Sequence, residues 1–233
     1  MGLFTAISRR LEQRRYDAAV TAYNTALSEW SRGEQQINSF ITVVQECING
    51  RTDEQFVDRD PRGFMLDEGE FPVAFISGAG LLQVMRGPSR YEGGYGGVSF
   101  PIFGRVRGHV GGQRGQVVRG TESQTHTDTG EVLVTNQRVM FRGDVRTEEW
   151  KFSRMMSMEH TADGITVFSM SAKGKPSAVG YGVGPAAEVQ FRLEIAAAFA
   201  RNTLPQLLAQ LQAEKSHHAA YRPSEPGKPA DLG

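Results

Sequence analysis

From Tyr16 to Ile48 the chain returns to an apolar residue at alternating intervals of four and three. The line runs through Tyr16, Val20, Tyr23, Leu27, Trp30, Ile37, Ile41, Val44 and Ile48, with Glu34 polar between Trp30 and Ile37. That spacing is a heptad seam and predicts a long helix over about residues 4–48, roughly 60 Å at the α-helical rise. The residues flanking the seam, Ala19, Ala26, Gly33, Phe40 and Cys47, are mostly small, which lets a second helix come close. Ser31-Arg32-Gly33 leaves a helical hairpin open as an alternative, because glycine inside a helix costs about 1 kcal/mol. A turn has no reason to keep the heptad in phase, and continuity is the preferred reading.

Beyond residue 67 the period changes from three and four to two. Residues 70–77 and 81–85 read as a strand pair around Gly78-Ala79-Gly80. Val132 and Val134, Val139 and Phe141, then Trp150 and Phe152 alternate along three strands, with Asn136-Gln137 and Gly143-Asp144 as the turns between them. Trp150 and Phe152 are expected in the core. Ile165–Met170 and Ser177–Tyr181 continue the pattern, and Gly184-Pro185 opens a helix with Phe191, Ile195 and Phe199 on one face. A short amphipathic helix follows over 203–215. Residues 216–233, proline-containing and without periodicity, are expected to be a disordered tail.

The run Gly130–Phe152 has a strand ending in Thr-Asn, then Arg-Val-Met-Phe, a polar turn and Glu-Trp-Lys-Phe. It resembles the core hairpins of bacterial pleckstrin-homology-like and GRAM-like domains. The stretch Gly97–Ile102 with Arg105–Gly111 resembles the glycine-rich part of a bacterial family that carries the same domain beside helical segments. The resemblance spans about residues 68–202 and implies a small β-barrel closed by a C-terminal helix, working as a binding module. Lipid sites of such domains draw several basic residues from the first strand pair. Here that pair holds only Arg86 and Arg90 near its end, and lipid binding does not carry over by resemblance.

Charge refines the picture. The 233 residues have zero net charge, 39% apolar and 22% charged residues, an ordinary globular balance. Residues 51–67 form an acidic connector, while residues 86–120 hold arginines at 86, 90, 105, 107, 114 and 119 against Glu92. Arg105, Arg107 and Arg114 are candidates for gripping an anionic group or acidic partner, with glycines that let backbone amides approach. The competing reading has them alternating outward on solvated hairpins. A neutral chain disfavours nucleic acid, whose binding by counterion release asks for a larger basic field.

Catalysis finds no foothold. His109, His126, His160, His217 and His218 are not spaced as a metal set, and neither a nucleophile elbow nor a phosphate loop is present. No cofactor or metal is expected. The single cysteine, Cys47, excludes an internal disulfide. With no long apolar run, a cytoplasmic protein is expected. A membrane-peripheral one stays open, since Leu3, Phe4, Ile7 and Leu11 share a helical face flanked by Arg9, Arg10, Arg14 and Arg15.

The expected fold is α+β, with a helical arm over 1–50, the connector over 51–67, and a barrel with its capping helix over 68–202. The expected function is a non-catalytic oligomerising adaptor, its partner a second copy or another coiled-coil protein. A peripheral protein on an anionic membrane, and a structural component of a larger assembly or filament, are the alternatives.

Overall fold

In the computed structural model the described residues are 2–56, 60–85, 98–101, 107–110, 123–171 and 175–228, with side chains described over 10–56, 60–83, 125–171 and 175–228. The chain is α+β and divides into two compact units, Met1–Thr42 with Gln210–Gly233, and Val43–Ala209.

In the first unit, α1 (Gly2–Ile48) is one unbroken helix through Gly33. The last helix, α4 (Leu204–Ala220), contributes its second half to the same unit. It runs beyond residue 215 into the stretch expected as a tail, which corrects that boundary. The cause is Trp30. Its indole N–H donates to the His218 carbonyl at 2.9 Å, the His218 Nε2 bonds the Trp30 carbonyl at 2.9 Å, and the two rings stack 5.1 Å apart at 6°. Arg222 lies over the same indole at 5.4 Å.

The second unit is built on an antiparallel sheet. Its strands are β1 (Pro72–Met85), β4 (Ser123–Thr135), β5 (Arg138–Gly143), β6 (Thr147–Lys151), β7 (Ser157–His160), β8 (Ile165–Ser169) and β9 (Ser177–Gly180). Seven strands run in the order β7-β8-β9-β1-β4-β5-β6, and the hairpin of β2 (Val98–Pro101) and β3 (Arg107–Val110) extends the β7 edge. The short helix α2 (Thr52–Gln55) precedes the sheet and α3 (Ala186–Arg201) follows it.

The strand pair expected around Gly78 is instead the single strand β1. Gly78 has φ +65° and sits where the pairing with β4 slips between Ile76 and Ala79. A positive φ suits glycine, so the residue makes a bulge that bends the strand without ending it. Bending lets β1 pair with β4 along its length and with β9 over Gly80–Gln83.

The core lies inside the curl of this sheet. Trp150 on the edge strand β6 stacks on Phe168 of β8 at 4.7 Å, and with Phe141 and Phe152 both are almost wholly buried. The opposite face of β1, β4 and β5 is covered by the connector. Arg62 lies over Phe75 and Arg142 over Phe64, while the Glu70 carboxylate takes a two-pronged bond from Arg138 at 2.9 and 2.8 Å.

Candidate functional site

A cleft of about 390 Å³ opens beside the first half of β1. It is lined by the consecutive residues Pro72–Ile76, by Pro185, Glu188, Val189 and Arg192 from the start of α3, and by Phe56 and Asp60. Buried Val73, Ile76, Leu133 and Val189 give it an apolar floor. The chain opens here because β9 stops at Gly180, so among the described residues α3 and not a strand comes next along this part of β1. Helix α3 is anchored nearby through Phe199, which meets Phe71 and Phe56 edge-on.

The charged side chains of the cleft are already matched. Arg192 donates to Glu188 at 2.7 Å and lies over the Phe56 ring at 5.3 Å, and Asp60 accepts the Arg62 backbone N–H at 2.9 Å. What the cleft offers a visitor is mainly apolar surface and backbone, with Gln55 and Asp60 among its lining residues.

A second feature is a buried polar chain. The His160 Nε2 bonds the Glu194 carboxylate at 2.9 Å, its Nδ1 meets the Thr166 hydroxyl at 2.8 Å, and Thr166 meets the Tyr181 hydroxyl at 2.8 Å. The set is satisfied when Nε2–H donates to Glu194, Thr166 donates to Nδ1 and Tyr181 donates to Thr166. The order of groups is that of a nucleophile, base and orienting acid. Thr166 is 0% exposed, however, so its hydroxyl meets no substrate. Burial pushes the Tyr181 phenol above its usual value despite its bonds to Thr166 and Gln190. The chain ties α3 to β7 and β8.

No protein-family model matches this chain, and no curated protein or solved structure does. Its function is therefore read from these surfaces.

Of the basic candidates, Arg105 and Arg114 lie outside the described residues. Arg107 begins β3 opposite Pro101, with its side chain outside them. Among the described residues no group of acidic, histidine or cysteine side chains could hold a metal, and no helix is long and apolar enough to cross a membrane.

The seam divides. Val20, Tyr23, Leu27 and Trp30 are half-buried while their neighbours from Asp17 to Glu29 stand exposed, as the heptad requires. Further on, the buried line is Gly33, Ile37, Phe40, Val44 and Cys47, with Ile41 half-buried and Ile48 exposed. Within the chain, the buried line thus runs one position before Ile41 and Ile48. In the first unit the reason is local: Gly33 lets His218 sit against the helix on that side, where an added Cβ would lie 2.9 Å from the imidazole.

Sequence reasoning missed the cleft and the His160–Glu194 pair. Neither leaves a spacing signal, because each depends on where β9 ends and α3 turns back.

Proposed function

We propose that this protein is a non-catalytic oligomerising adaptor, in which a helical arm pairs with a second copy and a pleckstrin-homology-like barrel carries the docking surface. The observation that carries the reading is the half-covered line Tyr16, Val20, Tyr23 and Leu27 on α1, leading up to the Trp30 that His218 already stacks on. An apolar line at heptad spacing is complementary to another helix with the same repeat, and a second copy supplies one. The barrel identity is supported by the strand order, in which one long strand stands between two three-strand meanders and a helix follows the last strand.

Light scattering on the purified chain tests the arm. The expected mass is that of a dimer or higher oligomer, falling to a monomer in Tyr23→Asp/Leu27→Asp with circular dichroism unchanged. A wild-type monomer at tens of micromolar, roughly where weak coiled coils still pair, sinks self-association. Another coiled-coil protein would then be the occupant to seek.

A further inference from the structure

The pairing of β1 stops halfway on one side. It joins β4 from Pro72 to Met85, but β9 only from Gly80 to Gln83. Among the described residues, Pro72–Ala79 therefore has a strand on one side alone. A strand edge presents backbone N–H and C=O groups that another extended chain can satisfy, and this edge borders a cleft with an apolar floor.

We propose that this cleft binds an extended, uncharged apolar peptide segment of a partner protein, added as a strand to the Pro72–Ala79 edge of β1 with its side chains against α3. The inference rests on the adaptor reading and names the docking surface it requires. Three observations converge on that occupant. The lining residues Pro72–Ile76 are consecutive, about 16 Å of extended chain, which matches a short strand better than a compact ligand. The floor of Val73, Ile76, Leu133 and Val189 accepts aliphatic side chains from alternate peptide positions. The lining charges Arg192 and Glu188 are paired with each other, so the α3 wall of the cleft offers a ligand an internally neutralised pair.

The test uses the full chain and a phage-displayed random-peptide library, followed by fluorescence anisotropy with the enriched peptides labelled. The expected result is enrichment of peptides alternating apolar residues, with affinity falling about tenfold or more on Ala74→Arg, which fills the cleft from its half-buried wall. Methylating the peptide backbone N–H groups one by one should weaken binding at every second position, since only those donate to β1. If Ala74→Arg does not fold, the methylation series on the wild-type protein decides alone. Failure to enrich any peptide, equal binding by a folded Ala74→Arg, or indifference to backbone methylation overturns the proposal. Oligomeric mass is measured separately, so a peptide failure in an oligomer leaves the self-association of the arm standing, while loss of both removes the adaptor.

Discussion

The indole N–H of Trp150 donates to the Ser177 hydroxyl at 2.8 Å, joining the edge strand β6 to β9, four places away in the sheet. Only a strongly curled sheet allows this bond. Trp150 is therefore both core and clasp, with its ring on Phe168 and its polar edge on the far meander.

Trp150→Ala should lose about 3–5 kcal/mol of stability through the cavity left behind, enough to unfold a marginal domain. Trp150→Phe keeps most of the packing and should lose about 1–2 kcal/mol, chiefly the hydrogen bond and part of the buried area. Urea unfolding separates the two. A midpoint for Trp150→Ala equal to wild type would show that the curl closes without this residue.

Gly33 and His218 should be energetically coupled. In an exposed helix Gly→Ala gains about 1 kcal/mol, but here the new methyl would meet the imidazole at 2.9 Å. The ring is held by its Nε2 bond to the Trp30 carbonyl and by stacking on the Trp30 indole, so it does not swing aside freely. Gly33→Ala should therefore fail to stabilise the wild type, yet stabilise a His218→Ala background by about 1 kcal/mol. A double-mutant cycle by urea unfolding with no coupling would mean that the α4 clasp opens readily.

These two contacts mark where the sequence was legible. The strands from Val132 to Phe152 and the continuity of α1 were readable because a period repeats many times, and the burial of Trp150 and Phe152 followed from alternation. Gly78 misled because glycine in a strand looks like a turn when only neighbours are visible; its bulge is defined by the pairing with β4. His217 and His218 looked like a tail because the end of α4 carries no apolar stripe; what orders that end is Trp30, 188 residues away. The cleft is illegible for the same reason, being, among the described residues, an absence of pairing on one side of β1.

The Glu70–Arg138 pair predicts an acid limb. Burial opposes the Glu70 charge, but hydrogen bonds from Arg138, Thr135 and the Asp67 N–H outweigh it and hold the carboxyl below its usual value. The Glu70 bond in turn raises the Arg138 guanidinium. A depressed folded pKa means that the contribution is complete above the unfolded value, about 4.3, and is lost as pH falls through the lower folded one. Glu70→Gln should be less stable at pH 7 and show a shallower fall in urea midpoint below about pH 4.3. Parallel acid limbs for the two proteins would mean that other carboxylates dominate.

Cys47 supplies the converse case. The residue is buried near the end of α1. Burial pushes its thiol up to about 11, against smaller lowering effects of a Thr52 hydrogen bond and the Arg192 charge. Since the thiolate is the reactive form, iodoacetamide at pH 8 should modify the folded protein far more slowly than the urea-unfolded chain. The raised folded value also means that the contribution to stability is whole below the unfolded pKa of about 8.5 and drains away as pH climbs toward 11. Cys47→Ala should consequently lose less stability than wild type between those two pH values. Rapid alkylation under native conditions, tracked by mass spectrometry, would show instead that the last turn of α1 opens frequently, and the alkaline difference between the two proteins should then vanish with it.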